Sequence, residues 1–226
     1  GLYLTEQRAI YETVRADNVE QSLNSLYASV QHQWTDRFRS VASVRADHYA
    51  FDVAAGIASN SGSGSDTLFS PKLNLIYRPM AGLETFLSAG QGFHSNDARG
   101  TVITVDPVTG DDIDAVDPLA TARSYEAGFR TSLIPKTQIA LTAFSMRLSS
   151  ELIYVGDAGN TEAVDPSKRH GVELNGLYSP TEWLLFDADV SYTRARLRGV
   201  GVDNRIANAV ERTASLGMSI DDLNNW

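Results

Sequence analysis

The sequence predicts an all-β protein, folded as an antiparallel up-and-down meander. Three observations carry this prediction: apolar and polar residues alternate with period two over long segments, short and long connections follow each other along the chain, and the tryptophans lie at short connections. Because successive residues of a strand point to opposite faces of a sheet, each segment has one face in an apolar medium and one in water.

Four segments show the alternation most clearly, and we interpret each as a β-strand. Their apolar positions, in chain order, are Leu26, Ala28, Val30 and Trp34; Val172, Leu174, Gly176 and Tyr178; Leu184, Phe186, Ala188, Val190 and Tyr192; and Ala214, Leu216, Met218 and Ile220. The segments extend over roughly 10 to 15 residues, whereas roughly 5 or 6 is typical of soluble proteins. A strand that crosses a bilayer needs roughly 9 to 11 residues in the apolar zone, so the length predicts a lipid medium.

The connections between these segments alternate in length. Tight turns are predicted at residues 34–37, 78–84, 134–138, 179–183 and 221–226, and longer polar loops at 55–67, 95–121, 156–167 and 198–208. Outer-membrane barrels have the same asymmetry, with short periplasmic turns and longer external loops. We therefore predict a partial transmembrane β-barrel, with roughly 9 or 10 strands of a larger barrel in this chain.

The three tryptophans favour the same interpretation. Trp34, Trp183 and Trp226 each lie at a predicted short turn, where the aromatic girdle of a barrel meets the membrane–water boundary. The alternative is that they are core or turn aromatics of a soluble sheet. Strand length and the pattern of connections favour the girdle.

Composition excludes several other classes of protein. The 226 residues include no cysteine, which excludes disulfides and cysteine-based metal sites. A net charge of −9 counts against a nucleic-acid partner. No run approaches the roughly 18 apolar residues of a spanning helix, and the first residues lack the pattern of a signal peptide. The chain is therefore either cytoplasmic or a mature or excised piece, and we expect an excised piece. The lack of cysteine suits the periplasm or the cell outer membrane.

Four stretches, in order, resemble the barrel of TonB-dependent outer-membrane receptors. The first, FSPKLNLIYRP followed by LETFLSAGQGFHSNDARG (69–79 and 83–100), is similar to a mid-barrel hairpin of that family. The others are ARSYEAGFRTSLIPKTQIALTAFSMRLSSELIYVG (122–156), KRHGVELNGLYSPTEWLLFDADVSYTRARL (168–197) and NAVERTASLGM (208–218). The resemblance covers residues 14–220.

The resemblance implies an outer-membrane receptor that takes up a scarce nutrient, such as a metal–siderophore complex, cobalamin or a sugar, with energy delivered by TonB. It implies a barrel of about 22 strands around a plug, preceded by a TonB box. Nothing in the chain resembles the plug or the TonB box, so residues 1–226 are expected to be an internal part of the barrel without a plug domain. The partners implied are outer-membrane lipid, the receptor's plug and remaining strands, TonB, and a small extracellular ligand.

Two sets of polar residues are candidates for function. Ligands of this family meet the external loops, the upper wall and the plug, which makes His94, Asn96, Asp97 and Arg99 the candidates for ligand binding. A second set is expected to face the wet interior and to hydrogen-bond the plug or water: Lys72, Asn74, Arg78, Glu126, Arg130, Glu173, Asn175, Asp187 and Asp189.

Other polar motifs predict no catalytic, cofactor-binding or metal residue. GQGFHSND lacks the third glycine of a dinucleotide fingerprint, and we interpret Gly90 and Gly92 as relieving crowding in a bent strand. The aspartates of loop 106–118 lack EF-hand spacing; they predict a solvated loop, with a calcium site as the alternative. Asp47 and His48 lack a nucleophile, so no enzyme is expected. Two alternatives to the receptor stay open: a passive porin or adhesin-type barrel, and a soluble all-β binding module.

Overall fold

The computed structural model shows long strands joined by alternating short turns and longer loops. It describes residues 16–107, 109–155, 160–199, 204–206 and 208–221. The strands are β1 (Asn18–Thr35), β2 (Phe38–Ala54), β3 (Gly62–Met80), β4 (Leu83–Ser95), β5 (Leu119–Thr131), β6 (Thr137–Leu148), β7 (Glu151–Val155), β8 (Asn160–Val164), β9 (Ser167–Thr181), β10 (Leu184–Leu197) and β11 (Arg212–Ile220). A 3-10 turn (Ala58–Asn60) and a short helix α1 (Ala98–Val102) lie in the loops.

Nine of the described strands form one antiparallel sheet in the order β1-β2-β3-β4-β5-β6-β9-β10-β11. The hairpin β7–β8 forms a separate two-stranded sheet. Within the described residues the large sheet is not closed, since β1 and β11 each pair on one side only. The prediction of an all-β antiparallel meander is confirmed. In the same part of the chain, no helix is long and apolar enough to cross a membrane.

The short turns lie where the sequence predicts them, and all of them are at one end of the sheet. We call this the turn end, and the opposite end the loop end. Turns occur at residues 36–37, 81–82, 135–136 and 182–183. Gly82 adopts a φ of 79°, a left-handed conformation that glycine adopts without steric cost. Residues 222–226, with Trp226 and most of the last predicted turn, lie outside the described residues.

Two predicted loops are shorter than the sequence suggests. The composition of residues 55–67 predicts a polar Gly/Ser-rich loop, but β3 already begins at Gly62. Residues 62–67 pair with 48–53 of β2, so the loop shrinks to 55–61. Similarly, the predicted loop 156–167 contains β8. In both places backbone pairing with a neighbouring strand outweighs a composition that disfavours strands.

The register assigns every strand residue to one of two faces. The outer face carries Leu73, Leu75 and Tyr77, and the inner face carries Lys72 and Asn74. The outer face also carries these large exposed apolar side chains: Leu26, Val30, Leu87, Tyr125, Val172, Leu174, Val190, Leu216 and Met218. Such a face is stable against lipid and unstable against water, because an exposed apolar area of this size is rare in soluble proteins.

Three inward-facing phenylalanines lie over glycines of the next strand, in the pairs Phe51–Gly64, Phe86–Gly128 and Phe144–Gly171. A Cβ atom at Gly128 would lie 2.7 Å from Phe86 Cζ and 2.3 Å from the Leu141 carbonyl oxygen. At Gly171 it would lie 2.2 Å from the Tyr192 carbonyl oxygen. These glycines therefore provide the space in which rings pack flat on the wall.

The interpretation of Gly90 and Gly92 as sites of crowding is wrong for Gly92. A Cβ atom there would meet no heavy atom within 4 Å, and at Gly90 the nearest is Lys72 Cγ at 3.4 Å. Crowding occurs on other strands instead, at Gly128 of the adjacent strand β5 and at Gly171 of β9, three strands from β4.

Candidate functional site: the inner wall and the loop end

The inner face forms a groove across strands β2 to β10. Its central part has a volume of about 640 Å³ and is lined by inward-facing residues including Lys72, Asn74, Glu126, Arg130 and Glu173. A second part of about 630 Å³, towards the turn end, is lined by residues including Arg78 and Asn175. The predicted inward-facing residues therefore line one polar wall.

Oppositely charged side chains pair across this wall. Glu84 Oε2 lies 2.9 Å from Arg39 Nη2 and 3.9 Å from Arg78 Nη2. The Arg130 guanidinium lies 5.5 Å from the centre of the Phe86 ring, within cation–π range.

Further along the wall, Asn175 Nδ2 donates to Asp189 Oδ1 over 2.7 Å. Asp187 shares the inner face with Asp189, two residues away on β10, and pairs with Gly217 of β11. Among the described residues, the inward-facing Lys72, Glu126 and Glu173 have no ion-pair partner. These three side chains can therefore meet water, a plug or a ligand.

At the loop end the inner face is covered. The side chains of Tyr49, Phe51 and Val53 on β2 pack with Ala98 of α1 and Leu119 of β5 in a buried apolar cluster. The loop between β4 and β5 thus folds over the inner face instead of extending away from the sheet. This contact fixes the position of the loop that carries three of the four predicted ligand-binding residues.

Asn60 joins the two loops at this end and is itself buried. Its Nδ2 donates to the Val105 carbonyl oxygen over 2.8 Å, and its Oδ1 accepts from the backbone N–H groups of Thr104 and Val105, each over 3.0 Å. Both polar ends of the amide are therefore used. Sequence reasoning missed this residue because an asparagine in a polar loop gives no signal of burial.

The four candidates for ligand binding lie at the loop end. Asn96 is buried, with Nδ2 donating to the Asp117 carbonyl oxygen over 2.6 Å. Asp97 caps α1: its Oδ1 accepts from Arg99 N over 3.0 Å and from Arg99 Nε over 2.9 Å. The hydrogen bond with Asp97 is the main cause that raises the pKa of Arg99.

Two of the four candidates also carry a buried atom with no hydrogen-bond partner among the described residues. These atoms are His94 Nε2 and Asn96 Oδ1. The four residues therefore lie in one segment, and many of their hydrogen bonds hold that segment in its conformation.

A third network on the inner face centres on the fully buried Asp47. Its Oδ1 accepts from Ser25 Oγ over 2.6 Å and from Arg45 Nε over 2.8 Å. His48 lies on the opposite face and has Thr67 Oγ1 at 2.9 Å from its Nδ1. Asp47 and His48 therefore do not form a catalytic pair.

The aspartates of loop 106–118 do not converge. Asp106 accepts from Thr109 N at 3.0 Å, and its own N–H donates to the Asp111 carbonyl oxygen over 2.8 Å, which closes a tight turn. Across the described residues, no three carboxylate or imidazole groups lie close enough together to hold a metal ion. The geometry therefore does not support a calcium site in loop 106–118.

Comparisons with known proteins agree with this architecture. Residues 3–226 match the family model described as TonB dependent receptor-like, beta-barrel. No curated protein matches the sequence.

Solved structures of iron-uptake receptors are similar in fold. The ferric-catecholate import receptor Fiu from E. coli K12 is 12% identical with a TM-score of 0.72, over 92% of this chain and 33% of that chain. The ferric yersiniabactin uptake receptor FyuA from Yersinia pestis is 15% identical with a TM-score of 0.69, over 89% and 32%. The alcaligin outer membrane receptor FauA from Bordetella pertussis is 14% identical with a TM-score of 0.66, over 89% and 34%. The chain spans about a third of the length of these receptors.

Proposed function

Because this chain belongs to the TonB-dependent receptor β-barrel family, we propose that it forms part of the wall of a receptor that takes up a scarce nutrient with energy delivered by TonB. Members of this family are transporters of the Gram-negative outer membrane, not enzymes. Residues 1–226 contribute barrel strands and loops, while the plug and the TonB box belong to other parts of the receptor. The chain therefore acts through its surfaces and not through a reaction.

One observation supports this proposal most directly: the sheet has an apolar outer face and a charged inner groove. Leu87 and Leu216 on the outer face are 58% and 87% exposed. The inner groove carries Lys72, Glu126 and Glu173, which can hydrogen-bond a plug. A wall with lipid on one side and a polar protein surface on the other has this distribution. It favours the receptor over a soluble binding module, which would expose the apolar face to water.

We place a metal–siderophore complex first among the three cargoes, with cobalamin and a sugar as the others. The solved receptors of similar fold are named for ferric chelates. Residues at the loop end would meet such a cargo before it reaches the plug, and we propose His94, Asn96, Asp97 and Arg99 as this contact region. Asp97 and Arg99 are partly exposed and offer charge, while Asn96 keeps the segment in place.

Uptake by the full-length receptor tests the proposal. Deletion of its gene is expected to abolish growth on one ferric chelate, cobalamin or sugar source, and the gene on a plasmid is expected to restore it. Collapse of the proton gradient with a protonophore is expected to stop uptake, since TonB draws on that gradient. Uptake that persists with the protonophore would identify a passive porin, and unchanged growth on every source would refute the receptor.

The contact region is tested in the same strain. Arg99→Gln is expected to raise the cargo concentration required for half-maximal uptake, while Arg37→Gln at the turn end serves as the matched control. Equal uptake curves for both variants and the wild type would remove Arg99 from the contact region.

A further inference from the structure

A row of cations runs across the outer face near the loop end. Arg123 pairs directly with Arg147, Arg147 with Lys168, and Lys168 with Arg196. Side chains that are directly opposite on neighbouring strands are roughly 5 Å apart at Cβ, and like charges at that spacing repel. The four cations of this row therefore repel one another and do not by themselves stabilise the sheet.

More basic residues lie on the same face beside this row. His170 pairs with Arg194, and the Arg212 guanidinium lies 5.9 Å from the centre of the Tyr192 ring. We define the basic cluster as the exposed outer-face residues Arg123, Arg147, Lys168, His170, Arg194 and Arg212. In a chain of net charge −9, their convergence on one patch requires an explanation.

Within the described residues, the protein itself neutralises little of this charge. Arg196 Nη1 lies 3.0 Å from Glu211 Oε1, and the hydrogen bond from Arg196 is the main cause that lowers the pKa of Glu211. Arg123 Nε donates to the neutral side chain of Gln91 over 3.0 Å. Arg147, Lys168, Arg194 and Arg212 have no ion pair in this part of the chain. The cluster therefore presents its charge to whatever surrounds the outer face.

The cluster begins where the apolar band of the outer face ends. Going towards the loop end, Arg123 is the next outward-facing residue after Tyr125, and Arg194 is the next after Tyr192. In the same way, His170 follows Val172. Tyrosines that border an apolar band mark the level of lipid headgroups. The cations thus lie at headgroup level, directly above the hydrocarbon.

Strands β1 to β3 lack arginine and lysine at the point where their own outward-facing apolar residues end. Beyond the apolar Leu26 and Ala46, the next outward-facing residues are Asn24 and His48, and Thr67 pairs with His48. Further towards the loop end, the outward-facing residues on these strands include Glu20 and Asp52, which pair with each other. The basic cluster is therefore specific to one side of the wall and not a general property of its rim.

We propose that the basic cluster binds the phosphate groups of an anionic lipid headgroup in the outer leaflet, of the diphosphorylated lipid A class. Arginine pairs with phosphate through two parallel hydrogen bonds, and the adjacent apolar band receives the acyl chains of the same molecule. A soluble anion would engage the cations but would gain nothing from the apolar band below them. The inference goes beyond nutrient uptake and does not depend on the cargo.

The test uses the full-length receptor, purified in a non-ionic detergent and titrated with lipid under native mass spectrometry. The variant is Arg147→Gln with Lys168→Gln, and the control with the same charge change is Arg37→Gln with Lys136→Gln, both exposed at the turn end. Each basic residue near an anionic surface contributes about fivefold in affinity, so the variant is expected to bind diphosphorylated lipid A about 25-fold more weakly. The control is expected to bind it like the wild type.

Three outcomes would overturn the proposal. One is an equal loss of affinity for lipid A in the variant and in the control. Another is equal affinity of the wild-type receptor for diphosphorylated and dephosphorylated lipid A. The third is displacement of the lipid by an equimolar amount of inorganic phosphate, which would indicate a site for soluble anions. Heat-modifiable gel mobility reports whether the double variant is folded; if it is not, Lys168→Gln alone is expected to lose about fivefold.

Discussion

Strand β2 has two halves whose apolar residues lie on opposite faces of the same sheet. Near the turn end, the apolar residues Ala42, Val44 and Ala46 are on the outer face. Near the loop end, the large apolar residues Tyr49, Phe51 and Val53 are on the inner face and are buried. The face that carries the apolar residues therefore changes from the outer to the inner one within one uninterrupted strand.

The inversion shows that the two halves are in different surroundings. The half near the turn end carries apolar residues on its outer face, as a wall that faces lipid does, while its inner face carries polar residues such as Arg39 and Ser43. The half near the loop end packs its inner face against α1 and β5, as the interior of a soluble protein does. The change occurs around Asp47 and His48.

The largest effect is expected for Phe51→Ala in the half near the loop end. Phe51 is 8% exposed, and truncation of a buried phenylalanine costs about 3 to 5 kcal/mol in folding free energy. The cost should appear as local opening of the segment around α1, measured by hydrogen exchange or limited proteolysis of the full-length receptor. Phe69→Ala on the outer face, where Phe69 is 62% exposed, is the control, and equal opening in both variants would contradict the inversion.

The next effect is expected for Leu87→Arg on the outer face. An arginine facing lipid near the middle of the bilayer costs about 2 to 4 kcal/mol, because its charge loses hydration. Ser88→Arg adds the same side chain one residue along β4, on the inner face, and should cost far less. The measurement is the urea midpoint of barrel refolding into lipid vesicles, and a similar midpoint for both variants would mean that the outer face does not meet lipid.

Gly171→Ala should destabilise the wall through steric overlap. The added Cβ would lie 2.2 Å from the Tyr192 carbonyl oxygen, and overpacking of this kind costs about 1 to 3 kcal/mol. Gly92→Ala is the matched control, since its Cβ would meet no heavy atom within 4 Å. The thermal midpoint of heat-modifiable gel mobility checks both, and a normal midpoint for Gly171→Ala would show that the sheet adjusts without cost.

The smallest effect is expected for Glu84→Gln on the inner wall. The carboxylate of Glu84 pairs with Arg39 at 2.9 Å, and pairs near a wet surface contribute about 0.2 to 1 kcal/mol. The difference in unfolding midpoint between Glu84→Gln and the wild type should shrink as salt rises, because salt screens the pair. A large loss that does not depend on salt would show that Glu84 has another role, such as holding the plug.

Much of the fold follows from local signals. The alternation in β9, β10 and β11 predicts their two faces correctly, and the short turns at 36–37, 81–82 and 182–183 follow from their polar and Gly/Pro composition. The inversion in β2 leaves a trace in the sequence, because Ala42, Val44 and Ala46 lie at even positions and Tyr49, Phe51 and Val53 at odd positions. An alternation with one apolar face and one wet face does not predict the buried cluster at the loop end, because that cluster needs α1 and β5 to cover the inner face.

Three features of the candidate sites lie beyond sequence reasoning. Residues 62–67 have the composition of a loop and become a strand only because β2 extends far enough to pair with them. The burial of Asn60 depends on the position of Thr104 and Val105, more than 40 residues away. The pairing of Asp97 with Arg99 depends on the turn of the chain into α1, which their residue types alone do not specify.

The sequence by itself determined the two-faced strands, their length and the family, because alternation and motif order are properties of consecutive residues. Only the tertiary structure decided which residues of distant strands become neighbours. The basic cluster illustrates the difference: Arg123, Arg147 and Lys168 are unremarkable cations along the chain, and the register between β5, β6 and β9 aligns them in one row. Register is fixed by pairing between strands, and that pairing is not encoded in any single strand.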